Sequence, residues 1–266
     1  MTTNKREIGQ ENRTRALYVL ARLGYATTRQ LAFGVWGECT DSTRKMAGRL
    51  IRRLLQARLV VERRDDQNDE RMVALTAAGA AELAHQDEGL PGGKPHARDW
   101  LRHAHAHRTA SNSTYLAMAS RLGSLEAGWT EIEIHNGRAP ADLAKYRYKH
   151  DGLERAKVPD VLYDKDGQRV WVEVENTWRS APDLAKMVAF LRELFRATPA
   201  PVQVVWFVVT VPGARTIGSR LRTALTHYDP TDGTPRQVRE LDARILQQIR
   251  VLELDQEAFT LAIIPH

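Results

Sequence analysis

The sequence predicts a mixed α/β (α+β) fold in two units, and three observations carry that reading. Residues 8–54 repeat apolar side chains at helical spacing, and two short strand patterns follow at 59–64 and 71–75. From residue 158 onward, β-branched runs alternate with helical stretches, the pattern of a sheet covered on both faces. Between these regions, Leu90-Pro91-Gly92-Gly93-Lys94-Pro95 interrupts helical periodicity with Pro and Gly. The units expected are therefore 8–88 and 97–266, joined by a linker at 89–96.

Residues 8–23 predict a helix with Ile8, Ala16, Val19, Leu20 and Leu23 on one side, stopped by Gly24. Thr27 or Thr28 caps a short helix over 29–35. Thr40-Asp41-Ser42 then caps a third helix, where Met46, Leu50 and Leu54 recur every four residues and Ala47 and Ile51 widen the stripe. Arg44, Lys45, Arg49, Arg52 and Arg53 fall outside that stripe. With Arg58 they make six cations against Asp41 alone over 41–58, a local net charge of +5. Gly48 lies inside this helix at a cost of about 1 kcal/mol relative to alanine, which suits a close approach to DNA or to a neighbouring helix. Strands at 59–64 and 71–75 flank a polar loop at 65–70, and a helix resumes at 76–83.

Helices and hairpin in this order, with the Leu75-Thr76-x-x-Gly79 ending, resemble a winged helix-turn-helix domain over about residues 8–86. The resemblance implies a third helix in the major groove and a hairpin against backbone or minor groove. Ser42, Thr43, Arg44, Lys45 and Arg49 would then face base edges or nearby phosphates, and Arg52, Arg53, Arg63, Arg64 and Arg71 would grip phosphate. The alternative is an Arg-rich solvated helix on a protein-binding domain.

In the second unit, residues 97–122 predict one long helix with His103 and His107 on a shared face and His105 elsewhere. The His-x-His pair with Tyr115 resembles relaxase-type endonucleases, but the Ala104 and Ala106 spacers and the helical context depart from that pattern. Thr130-Glu131-Ile132-Glu133-Ile134-His135 alternates as a half-exposed strand, whose Glu131 and Glu133 are plain surface or an extension of an acidic site. Residues 142–155 read as a polar loop in which Lys145, Tyr146, Arg147, Tyr148, Lys149 and His150 suit a nucleic-acid backbone or an unpaired base, or as a solvated insertion. Strands at 158–163 and 169–175 enclose Asp164-Lys165-Asp166-Gly167, a turn that makes them a hairpin. The hairpin brings Asp160 beside the second strand, where alternation puts Glu173 and Glu175 on one face and Val172 and Val174 on the other. Carboxylates gathered in this way call for a cation such as a hard divalent ion; otherwise they are a solvated strand edge. Helices at 183–196, 213–228 and 238–248 and strands at 202–211, 250–254 and 259–264 complete the layer.

Pro159-Asp160, a turn, then Glu173-Val174-Glu175 and a helix resembles the catalytic hairpin of PD-(D/E)xK, or restriction-endonuclease-like, nucleases. That resemblance implies Mg²⁺ on Asp160 and Glu173. Glu175 stands where the family usually has lysine, to hold metal or orient water, and Lys186 on the following helix is the replacement cation. Taken together, the two resemblances point to plasmid replication-relaxation or mobilisation accessory proteins. The partners implied are double-stranded DNA and a relaxase or replication protein, with the nuclease-like unit as a second clamp. The rivals are a Mg²⁺-dependent DNA endonuclease and a winged-helix repressor whose second unit forms a homodimer.

Composition narrows the setting. The net charge of +6, from 39 basic and 33 acidic residues, favours a polyanionic partner only where cations cluster. The single cysteine, Cys39, excludes an intrachain disulfide and agrees with a reducing cytoplasm. The longest apolar run, 202–211, includes Gln203 and is too short for a bilayer-spanning helix, so no membrane partner is expected.

Overall fold

The computed structural model describes residues 4–65, 69–86, 98–226 and 239–265, and its architecture is mixed α/β. The first half runs α1 (Lys5–Leu23), β1 (Ala26–Thr27), α2 (Thr28–Trp36), α3 (Asp41–Gln56), β2 (Val60–Arg64), β3 (Arg71–Leu75) and α4 (Ala77–Gln86). Asn4, Thr27 and Thr40 each complete a capping box, which satisfies first-turn N–H groups that a helix cannot pair by itself. Helix α1 buries Ala16, Leu17, Val19, Leu20 and Leu23, whereas Ile8 is exposed, so its inward stripe begins later than the sequence suggested. Gly24 ends α1 with φ +78°, and a Cβ there would lie 2.5 Å from the Trp100 ring, so the turn needs a bare backbone. Strand β3 lies between β1 and β2, antiparallel to both.

The expected linker at 89–96 lies outside the described residues. Beyond it come α5 (Arg98–Arg102), α6 (Ala106–Leu122), β4 (Gly128–Thr130), α7 (Glu131–His135), α8 (Ala141–Ala144), β5 (Tyr146–His150) and β6 (Leu153–Lys157). The chain continues through β7 (Val161–Lys165), β8 (Gln168–Glu175), α9 (Ala181–Arg196), β9 (Val204–Val209), α10 (Ile217–Thr226), α11 (Glu240–Gln248), β10 (Ile249–Asp255) and β11 (Thr260–Ile263). The large sheet has the order β11-β10-β9-β8-β7-β4, with β8, β9 and β10 parallel and the other pairs antiparallel. Alternation along its strands serves two layers. Val161, Tyr163, Val170 and Val172 join Tyr115, Leu116 and Ala119 of α6 in one buried cluster. Leu162, Trp171, Val205 and Phe207 join Phe190, Leu191 and Leu194 of α9, with Leu221 of α10 and Ile245 of α11, in the other.

The α6 cluster also takes in Leu17, Leu20, Leu31 and Ile51, so the two halves share a continuous core. Polar contacts pin the joint. Gln30 donates to the Thr109 carbonyl at 2.8 Å and to Ser113 Oγ at 2.9 Å. Asn112 donates to the Leu23 and Tyr25 carbonyls. Arg22 meets Glu133 at 2.6 Å, with side chains only 9% and 4% exposed.

Several expectations need correction. Residues 130–135 form the end of β4 and then α7, not a strand: Glu133 accepts from the Thr130 N–H at 3.0 Å, and its charge is buried against Arg22. The long helix expected to 122 is broken. His105 is an extended N-cap whose ring accepts from the Arg108 N–H, and Arg108 lies 3.6 Å from the Trp100 ring centroid, holding α5 back against α6. His103 lies between the two helices, so it shares no helix face with His107. Residues 142–155 are not a loop but the end of α8 and most of the β5–β6 hairpin, which closes through Asp151 and Gly152 at positive φ. The region expected as a helix at 213–228 begins with a 3-10 turn at Pro212–Ala214 before α10, and Tyr228 lies outside the described residues, as does Val238.

Candidate functional site

Helix α3 is anchored by Ala47, Leu50, Ile51 and Leu54, all buried, and this anchoring turns its cations outward. Ser42, Lys45, Arg49, Arg52 and Arg53 are exposed. Arg49, Arg52 and Arg53 have no hydrogen-bonding or ionic partner among the described residues, and Lys45 forms no hydrogen bond or close ion pair there, its charge acting only on Asp41 one turn away. Arg49 and Arg53 also line a cleft of about 190 Å³ with Asn12, Trp36 and Met46. Gly48 has no atom within 4 Å of the place where a Cβ would stand, so no neighbouring helix requires it.

Other residues assigned to this surface have different work. Thr43 is 2% exposed, and its hydroxyl donates to the Glu38 and Thr40 carbonyls, so it builds the helix start instead of reading a base. Arg63 donates to the Arg102 carbonyl at 2.7 Å, tying β2 to α5. Arg44 pairs with Asp41, Arg64 with Asp69 and Arg71 with Glu62. These last three pairs are at least partly exposed, and such pairs are weak enough to exchange for phosphate.

The acidic cluster is built by the β7–β8 hairpin, whose Asp166 and Gly167 turn fixes Lys165 opposite Gln168. Register then sets Asp160 beside Val172 and Val174: its N–H donates to the Val172 carbonyl, and its Oδ2 accepts from the Val174 N–H at 2.7 Å. Its Oδ1 lies 3.0 Å from Nε2 of His107 on α6. This hydrogen bond raises the His107 pKa above the ordinary imidazole value of 6.5, against the opposing effect of burial.

Glu173 and Glu175 are 2% and 3% exposed. Trp171 Nε1–H donates to Glu173 Oε1 at 2.6 Å, and Lys157 Nζ lies 2.7 Å from Glu173 Oε2. Arg179 Nε donates to Glu175 Oε1 and Oε2 at 2.8 and 2.9 Å, while its NH2 reaches Glu173 at 3.4 Å. Burial raises the Glu173 carboxyl pKa, opposed by the Lys157 charge. Burial works against the Arg179 charge too, but bonding to Glu175 and the nearby carboxylates outweigh it and keep the guanidinium charged.

Lys186, expected as the compensating cation, pairs instead with Asp183 at 2.8 Å. The cations at the carboxylates are Lys157 and Arg179, which the sequence reading did not single out. Arg179 follows Glu175 by four residues, a spacing visible in the sequence; Lys157 arrives from a hairpin that was read as a loop. Mg²⁺ would have to displace protein donors to bind in this arrangement. The oxygens it would take already accept from Arg179, Lys157, Trp171, Val174 and His107, and no group of three His, Cys, Asp or Glu among the described residues is arranged to hold a metal. An arginine between two buried glutamates does the charge-neutralising work a divalent ion would do, without an open coordination position for water.

No protein-family model, curated protein or solved structure matches the chain. No helix of the described residues is long and apolar enough to cross a membrane.

Proposed function

We propose that this chain is a sequence-specific double-stranded-DNA-binding accessory protein of plasmid or mobile-element transfer or replication. Its first half acts as a winged helix-turn-helix unit, and its second as a PD-(D/E)xK-like unit that binds without cutting. The observation that carries this reading is the row on α3: Lys45, Arg49, Arg52 and Arg53 are exposed and form no hydrogen bond or close ion pair among the described residues, on a helix held from behind by its apolar stripe. Such a row gains free energy by releasing phosphate counterions, and the helix start with Ser42 presents side chains to base edges. The β2–β3 hairpin supplies the second contact through Arg64 and Arg71.

For the second half, α6 before the sheet, the β7–β8 hairpin with its Asp160 and Glu173, and α9 after it follow the order that the nuclease resemblance implies. The saturated carboxylates favour binding over cleavage. The test is incubation of the purified protein with supercoiled plasmid carrying its native locus, in Mg²⁺, Mn²⁺ or EDTA, scored for footprint and for nicking. A footprint without nicking is expected. Metal-dependent nicking that disappears in Asp160→Ala would make the protein an endonuclease instead, and absence of any footprint would remove the DNA reading.

A further inference from the structure

The loop between β8 and α9 carries Trp178, whose side chain is 59% exposed. Its indole pairs a large apolar face with a polar N–H edge, a chemistry suited to a partner that is apolar on one side and wet on the other. Arg220 of α10 lies 4.2 Å from the Trp178 ring centroid, so a guanidinium covers one face of the indole while the ring stays largely open. Trp178, Arg179, Thr177, Thr216 and Arg220 lie together around Glu175 without enclosing a cavity. This group of side chains sits at the carboxyl ends of the parallel strands β8 and β9, which are tied by the Thr210 N–H to the Glu175 carbonyl at 3.1 Å. Ligands of open α/β sheets bind at such strand ends.

We propose that Trp178 and Arg220 form a stacking platform for an unpaired base of single-stranded DNA. The indole takes the base face, and the guanidinium donors of Arg220 take the adjoining phosphate. The chemistry matches a strand better than an apolar peptide, because the groups exposed beside the ring are cations and hydroxyls, while the apolar side chains of the same lining, Ala214 and Ile217, are buried. It also shifts the stacking role away from Tyr146 and Tyr148, of which Tyr148 is buried and Tyr146 half-buried, both edge-on to Phe190. The proposal deepens the DNA-binding reading, since a factor that helps open a duplex gains from holding the strand released.

Fluorescence anisotropy with a short labelled oligothymidylate and with a mixed-sequence duplex separates the two claims, using wild type, Trp178→Ala, Trp178→Phe and a triple alanine variant at Arg49, Arg52 and Arg53. Trp178→Ala should weaken oligothymidylate binding at least about fivefold, the low end of a lost stacking contact, and leave duplex binding unchanged. Trp178→Phe should restore most of the loss. The triple variant should lose duplex and retain oligothymidylate. Equal oligothymidylate affinity in Trp178→Ala and wild type, or no binding by wild type, overturns the platform. Oligothymidylate binding without any duplex binding upholds the platform and overturns the α3 reading. Because Trp178 is exposed, its truncation leaves the fold intact, and the melting temperature checks this.

Discussion

Helix α3 and the β7–β8 cluster both gather charge, and they treat it in opposite ways. On α3, Lys45, Arg49, Arg52 and Arg53 are exposed and form no hydrogen bond or close ion pair among the described residues. In the cluster, Glu173 and Glu175 are almost fully buried, and Trp171, Lys157 and Arg179 hold their carboxylates. A hydrated charge waits for a partner at little cost, whereas a buried one must be paired within the fold or remain neutral. Availability, not charge alone, therefore separates the α3 surface from a cluster whose charges are paired within the fold.

The largest expected effect comes from opening that closed cluster. Arg179→Ala leaves Glu173 and Glu175 short of their shared cation, and breaking a buried pair in this way costs about 3–5 kcal/mol. The low end applies here, because Arg179 is itself 21% exposed. Urea unfolding measures the loss, and repeating it with Mg²⁺ sharpens the point: wild type should be indifferent to the ion, whereas Arg179→Ala should recover part of its stability. A loss below about 1 kcal/mol would mean that solvent already screens the cluster.

Removing the free charge is next. Alanine at Arg49, Arg52 and Arg53 together should weaken duplex binding about 100-fold at moderate salt and flatten the logarithmic salt dependence by up to about 0.9 for each lost phosphate contact. Folding stability should stay within about 0.5 kcal/mol, because these side chains hold nothing in place. Anisotropy across a salt series, with a parallel melt, distinguishes lost binding from lost folding.

The legibility of the two regions in the sequence followed the same division. Local rules exposed α3: the Thr40 cap, the Leu50 and Leu54 stripe and the outward arginines all follow from helical geometry. They also exposed the β7–β8 hairpin through Asp166-Gly167, with Glu173 and Glu175 on one side. Two local signals were present but outweighed by alternation or polarity. Thr130-x-x-Glu133 has capping-box spacing, and Asp151-Gly152 is the same turn pair that closes β7–β8. Lys157 at Glu173 and Arg22 at Glu133 were hidden for a different reason. Both are long-range pairings between elements, and periodicity along one segment carries no information about which distant cation a buried carboxylate meets.

A smaller effect tests the bare backbone of α3. With open space around the Gly48 Cβ position, alanine fits the free protein and should stabilise it by about 1 kcal/mol through helix propensity. If DNA approaches that backbone, the same substitution weakens duplex binding while raising the unfolding midpoint. Stability and affinity moving in opposite directions would place Gly48 at the interface, and unchanged affinity would place it away from the DNA.

The smallest effect is a titration. His107 has its pKa raised by the Asp160 hydrogen bond, so its contribution to stability is complete below the unfolded value of about 6.5 and is lost as pH rises through the higher folded value. Glu131 and Glu173 add to the rise, and burial opposes it. Asp160→Asn removes the largest favourable cause and should bring the His107 midpoint down, which an NMR titration of the imidazole reads directly. Melting curves across the same window should lose their decline with pH in this variant. Duplex affinity through α3 should stay flat where the His107–Asp160 contact weakens, because His107 lies on α6 and not on α3. A duplex affinity that follows the His107 midpoint would instead join the two regions energetically, through α6 and the polar contacts it makes with α2.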